Sequence, residues 1–392
     1  MNKKQIILFI LYFLHAITIN LAHPITPNYL ASLELPKFVF GILYSSMSLG
    51  MVFGSFLFGR ASDKWGRKSF IILGVIGYSI GQIMFGYFTK FPYLFILYRF
   101  ISGIFAGASL SLFMAEAIAI SDDNTRVKYV GALGAASILG SSFGYKIGGM
   151  LDGYNFSYQE VFLFQIIFGF VVALLCMLFI DKTININKNT SKKTLGIKNI
   201  FLLNKKLLLF LITLMFIQIA QINITKYLDV LITDVYDPNT LGDFVLATAV
   251  VGVIGNFVLI PLINKHAKEK NISYLIFFQI VSMVMIFVTF TFFREYILYM
   301  LYTTFMFYMI AKTLTVPLET NEISKESTSE THGVIFGARQ SFLGLGQVLG
   351  PLFGGALYEI SPYLVFYASS FLFLVAIVLL FIYKKKYGGE IC

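Results

Sequence analysis

Gly59-Arg60-Ala61-Ser62-Asp63-Lys64-Trp65-Gly66-Arg67-Lys68 places four cations and one carboxylate between two long apolar runs. Asp63 falls where a short turn between helices is expected, and Gly66 lets the backbone reverse there. Arg67 and Lys68 then lie at a membrane surface, within reach of a carboxylate or a helix C-terminus. A hydrophilic clasp between spans points to a membrane protein with parts that move.

Composition gives the same class independently. The 392 residues are 57% apolar and 13% charged, with mean hydropathy +0.79, whereas soluble proteins carry about 25% charged residues. The bilayer is the solvent. A spanning helix needs roughly 20 apolar residues, and twelve stretches qualify: 5–31, 39–59, 69–89, 91–120, 127–151, 159–180, 206–230, 241–264, 272–293, 296–318, 332–357 and 362–383. The first is too long for a signal-peptide core and lacks a clear small-residue cleavage site, so it is expected to stay as span 1. An all-α membrane protein with twelve transmembrane helices follows.

The formal charge of +10 is topological rather than a nucleic-acid footprint. With both termini in the cytoplasm, 22 of the 30 Lys and Arg residues fall in cytoplasmic segments, the Arg60–Lys68 stretch and the lysine-rich 182–206 stretch foremost. Lys37, Lys90 and Arg294 fall outside, and Arg99, Lys146, Lys226, Lys312 and Arg339 lie within spans or near their ends. The two cysteines, Cys176 and Cys392, offer neither a disulfide framework nor a metal cluster. No phosphate-binding Gly-Lys-Ser/Thr loop is present, so ATP hydrolysis is unsupported, and no cofactor or metal is expected. The polar stretch 181–206 divides the chain into an N-terminal six-helix half, 1–180, and a C-terminal half, 207–392, ending in a short basic tail.

The halves carry an internal echo. Gly140, Gly144, Gly148 and Gly149 of span 5 reappear 206 residues later as Gly346, Gly350, Gly354 and Gly355 of span 11. Gly131 and Gly337 keep the same offset. Duplicated halves with a site between them near midplane are one transporter architecture; small residues every four positions equally suit plain close packing of helices.

The 59–68 stretch resembles the signature loop between spans 2 and 3 of the major facilitator superfamily, with Gly59, Asp63, Gly66, Arg67 and Lys68 filling its positions. Span 11 resembles the Gly-x-x-x-Gly-Pro-x-x-Gly-Gly pattern of that superfamily's drug:proton antiporters, from Gly346 through Gly350 and Pro351 to Gly355. In span 5, however, Tyr145 stands at the proline position and Lys146 follows it, which weakens the antiport inference. His23-Pro24-Ile25-Thr26-Pro27-Asn28-Tyr29 is similar to a Pro-x-x-Pro-x-Tyr segment of twelve-span multidrug exporters, and Arg99-Phe100-Ile101-Ser102-Gly103 to their Arg-x-x-Gln-Gly element, with Ser102 for Gln. The resemblance implies alternating-access transport, and for Arg99 a link to proton coupling.

A proton-driven transporter needs a group that gains and loses a proton. Candidates are Arg99, Glu116, His15 and Asp229; Arg99 also suits a helix-end anchor, His15 a neutral hydrogen-bonding role, and Lys226 with Asp229 an ion pair one turn apart. Tyr12, His23, Phe305 and Tyr308 are candidates for an aromatic pocket that stacks amphipathic or cationic compounds. Lys146, Lys226 and Lys312 would favour an anionic cargo if they face the cavity, or snorkel to an interface if they do not. The expected function is proton-coupled efflux of small amphipathic compounds across the plasma membrane by a monomer that is not an enzyme. The alternatives are a carrier for an anionic metabolite or lipid-like substrate, and a non-transporting receptor or scaffold. The expected partners are the small-molecule substrate, protons and lipid, with no nucleic acid.

Overall fold

The computed structural model describes residues 1–122, 125–181, 204–261, 270–292, 294–326 and 332–387. Regular structure among them is entirely helical. The helices are α1 (Lys3–Asn20), α2 (Thr26–Ser32), α3 (Phe38–Trp65), α4 (Arg67–Tyr87), α5 (Phe95–Ala119), α6 (Arg126–Gly153) and α7 (Tyr158–Phe179). After the linker come α8 (Lys205–Val235), α9 (Pro238–Ile254), α10 (Asn271–Phe292), α11 (Ile297–Leu301), α12 (Thr304–Lys325), α13 (His332–Ile360) and α14 (Leu364–Tyr387). Most of the expected linker, 182–203, and the terminal Cys392 lie outside the described residues.

Nine described helical segments are long and apolar enough to cross a membrane. Helix also covers the three remaining expected spans, where glycine or interruption dilutes the hydropathy. Span 1 is two helices rather than one: α1 stops at Asn20, the chain turns through 21–25, and α2 restarts with Pro27 in its first turn. Pro24 and Pro27 lack the N–H that an unbroken helix would use, which is the physical reason for the break. Span 10 likewise divides, at Tyr302 and Thr303.

The clasp also differs from expectation. Asp63 does not sit in a turn but in the last helical turn of α3, exposed, and the reversal is carried by Gly66 alone at φ 89°. A side chain disfavours that backbone region, and glycine adopts it freely. The Gly66 N–H closes the helix on the Ser62 carbonyl at 2.8 Å, as a C-terminal cap does. Trp65, 66% exposed, stacks on Phe70 of α4 with ring centroids 6.1 Å apart.

Two compact units are present, one of Met1–Asn189 with Asp229–Ala249, the other of Thr190–Leu228 with Val250–Cys392. In the first, α3 and α5 approach through glycine: Gly50 and Gly54 face the backbone of Phe100 and Ile104, while Gly103 and Gly107 face Met47 and Met51. Its apolar core joins Leu8, Leu11 and Tyr12 to Ile71, Val75, Leu112 and Phe113. In the second, α10, α12 and α14 pack around Phe290, Phe305, Tyr308 and Phe373, with the rings of Phe290 and Phe366 stacked 3.7 Å apart. Phe56, Ile167, Met177, Phe371 and Phe381 point outward with half or more of their surface exposed, the arrangement of helices solvated by lipid.

Candidate functional site

Arg99 is 5% exposed and lies over the Phe85 ring, its guanidinium carbon 3.7 Å from the centroid. It lines a small cavity with Thr26, Phe40, Leu43, Tyr44 and Met47. Attraction to the ring face replaces part of the lost hydration, worth about 2 kcal/mol when desolvated. Arg99 lies in the second turn of α5 and is therefore a buried cation close to a helix end.

His15 and Tyr12 are core residues. The His15 Nε2 lies 2.7 Å from the Ser109 hydroxyl, and its ring stacks on Phe113, which also contacts Tyr12 at 5.3 Å between centroids. Glu116, 4% exposed, accepts from Arg67 at 3.4 Å. Neither Tyr12 nor His15 lines the Arg99 cavity.

A second group gathers on four elements. His23, in the turn after α1, lies between Tyr44 and Tyr145, with centroid distances of 5.5 and 5.7 Å and rings tilted by 25° and 20°. Its Nδ1 is 2.5 Å from the Tyr44 hydroxyl. The Tyr145 hydroxyl donates to Asp229 Oδ2 at 2.8 Å. His23, Tyr145 and Asp229 are buried, at 7%, 5% and 3% exposure. Lys146 turns away to Asn239 at 2.9 Å and Asp243 at 2.5 Å, a partly exposed pair worth about 0–1 kcal/mol. Nearby, Lys37 pairs with Asp234.

In the second unit, the Lys312 ammonium donates to the Thr225 hydroxyl of α8 at 3.4 Å. It reaches across to a neighbouring helix instead of along its own, so it does not snorkel to a helix end. No carboxylate meets it among the described residues. Lys226 is half-buried and close enough to act on it electrostatically. Phe305 and Tyr308 are 2% and 0% exposed and pack on each other, so both are buried packing residues in this state. Two further acids of α12, Glu319 and Glu322, are each 5% exposed, so Glu319 does not sit in solvent at the end of span 10. Glu319 pairs with Arg339 at 3.2 Å. Glu322 accepts from Asn271, Tyr383 and Lys325 at 3.2, 3.1 and 3.0 Å.

The glycines pack within each unit. A methyl at Gly140 or Gly144 would stand 2.5 Å from the Phe13 carbonyl or 2.7 Å from that of Ile17, and Gly148 faces Leu21 still more closely. Gly346, Gly350 and Gly354 meet α8 chiefly through the side chains of Gln218, Ile222 and Tyr227, at 2.9, 2.3 and 2.4 Å from where a methyl would stand. Gly149 faces Pro238 and Asn239, Gly355 is buried, and the Pro351 carbonyl accepts from Tyr227 at 2.6 Å. Gly131 and Gly337 have open space around them, so their shared offset has no steric cause.

The Multidrug resistance protein 1 of Bacillus subtilis (strain 168) is 26% identical over 391 residues, covering 98% of both chains. Multidrug resistance protein 2 of the same strain is 23% identical, covering 98% of this chain and 97% of its own. An inward-facing crystal structure of a bacterial homolog to the human lysosomal transporter Spinster superposes with a TM-score of 0.79 at 14% identity, covering 99% of this chain and 98% of its own. Residues 8–327 match the sequence model of the Major Facilitator Superfamily, and with that match over an all-helical transporter fold the chain belongs to this superfamily: a multi-pass membrane transporter, not an enzyme.

Proposed function

We propose that the protein exports small amphipathic compounds across the plasma membrane, as a monomer with both termini in the cytoplasm, driven by protons moving the other way. The observation that carries this reading is the burial of ionisable groups inside spanning helices. Arg99, Glu116, Asp229, Glu319 and Glu322 are each at most 5% exposed. At about 2.5–3.5 kcal/mol for a mid-span charge, such groups persist where they pair or serve transport. Whole-length similarity to two multidrug resistance proteins supports the efflux direction and the substrate class. The Gly66 reversal supports alternating access, because a static bundle has no need of a charged clasp.

A second reading, carriage of an anionic compound, is favoured by one observation: the Lys312 ammonium is held inside the second unit by a hydroxyl. In a medium of low dielectric such a cation attracts an anion more strongly than it would in water.

The deciding experiment follows ethidium, a cation, and carboxyfluorescein, an anion, in cells with and without the protein, each with and without a proton uncoupler. Uncoupler-sensitive ethidium efflux is the expected result. Efflux of carboxyfluorescein alone would establish the second reading, and no protein-dependent movement of either dye would count against both.

A further inference from the structure

The polar stretch 181–206 divides the sequence into halves, yet one piece of the second half keeps company with the first. Asp229–Ala249, the end of α8 and most of α9, belongs to the compact unit of Met1–Asn189. Its contacts lie at the end of α3 opposite the Gly66 reversal. There α6 and α9 meet backbone to backbone, with a glycine on each side. A methyl at Gly149 would stand 2.3 Å from the Pro238 carbonyl, and one at Gly242 2.9 Å from that of Tyr145. Val230 of α8, 2% exposed, lines a small cavity with Pro27 and Leu30 of α2 and Phe40 of α3.

The seam is fastened by polar groups. Lys37, just before α3, pairs with Asp234, and Lys146 of α6 meets Asp243 at 2.5 Å and Asn239 at 2.9 Å. The Tyr145 hydroxyl donates to Asp229 at 2.8 Å. Side-chain exposures of 42% and 26% in the first ion pair, and 23% and 49% in the second, put both at a solvent edge. Pairs placed so are weak, and can break and re-form in every cycle. Tyr145 stands where the resemblance places a proline, which has no hydroxyl to offer, and Lys146 follows it. The departure that weakens the family's pattern in span 5 therefore supplies two of the fastenings. At its far end the segment leaves the first unit at Val250, and α9 runs on into a π-turn over Gly255–Leu259. Such turns interrupt the regular hydrogen-bond ladder and are frequent at functional sites.

We propose that Asp229–Ala249 is a gate of the transport cycle, latched by Lys37–Asp234 and Lys146–Asp243, which lifts from α2, α3 and α6 when the protein opens at that end of its helices. This rests on the alternating-access reading above. Lys37 and Lys146 are positioning residues, whose task is to set the share of molecules in which the gate stands open. The glycine seam and the buried Val230 make the closed state tight, and the exposed ion pairs make it reversible.

The test has a cross-linking arm and a labelling arm, both on the purified full chain in liposomes with Cys392→Ser, since Cys176 is fully buried. A methyl at Gly153, the last residue of α6, would stand 3.8 Å from the Asn239 Cβ, a separation that suits a disulfide. Oxidising Gly153→Cys/Asn239→Cys should cut transport of ethidium or carboxyfluorescein, whichever the wild type moves, about tenfold or more by holding one state. Reduction should restore it, and neither single variant should respond to oxidant. The labelling arm needs no cargo: Val230→Cys reacts with a membrane-impermeant maleimide only when the segment lifts off α2 and α3. Adding Lys37→Gln and Asp243→Asn should raise its labelling rate roughly threefold to tenfold, in keeping with the loss of two weak pairs. Lys37→Arg should keep the rate low. Failure of the disulfide to form, transport by the oxidised protein at the reduced rate, or unchanged labelling in the double charge variant would each overturn the proposal. Labelling that rises as expected in a wild type that moves neither dye would instead overturn the efflux reading, which separates the two failures.

Discussion

The Arg67 guanidinium, one residue past the Gly66 reversal, lies 3.4 Å from the Glu116 carboxylate inside α5. Side-chain exposures of 11% and 6% make this a largely buried pair, tying the start of α4 to a neighbouring helix. Removing one member of such a pair costs about 3–5 kcal/mol where the other charge is stranded. Arg67→Met and Glu116→Gln should therefore each lower the thermal unfolding midpoint in detergent. An unchanged midpoint in both variants would show that the pair is not what stabilises this corner.

Asp63 is exposed in the last turn of α3 and makes no ion pair or hydrogen bond among the described residues. Its role is then expected in another conformation of the transport cycle, through a helix-terminus contact worth about 0.3–2 kcal/mol. Asp63→Asn should slow dye efflux while leaving membrane yield and unfolding temperature unchanged. Wild-type efflux rates in that variant would remove Asp63 from the mechanism.

Gly144 faces the Ile17 carbonyl and Gly350 the Ile222 side chain, at 2.7 and 2.3 Å from where a methyl would stand, while Gly131 faces open space. Leucine at either of the first two positions should reduce both folded yield and transport, because the paired helices can no longer approach. Gly131→Ala should be tolerated, and even gain a few tenths to 1 kcal/mol from better helix propensity. Tolerance of leucine at both Gly144 and Gly350 would show that helix approach there is not tight.

Lys312 is the cation most open to a charge-selectivity test. Lys312→Gln, at matched expression, should raise the ratio of ethidium to carboxyfluorescein transported. It should abolish carboxyfluorescein transport if the anion-carrier reading is correct. An unchanged ratio would return Lys312 to a purely structural bond with Thr225.

Fold class, helix placement and the glycine faces were legible in the sequence because hydropathy and small-residue spacing act locally along the chain. The broken span 1 was half-legible, because Pro24 and Pro27, which lack the N–H of an unbroken helix, stand at the break. The acids show where reading failed. Glu322 lies 206 residues after Glu116, the same offset as the glycines, so extending that comparison to charged residues would have found it. Nothing local marked Tyr145 as the partner of Asp229, since 84 residues separate them and only tertiary packing brings them together. Tyr12 read as a pocket aromatic and His15 as a proton-carrying group, yet the side of α1 they occupy is turned into the core of the first unit.

The clasp carries a further consequence. The chain has one tryptophan, Trp65, and it is the last residue of α3, two-thirds exposed, next to the Gly66 reversal and stacked on Phe70. All indole emission from this molecule therefore comes from a single point at the hinge between α3 and α4. The protein is its own single-site optical probe, and a change in emission colour or quenching on adding dye or acid reads the surroundings of the clasp without any label being attached.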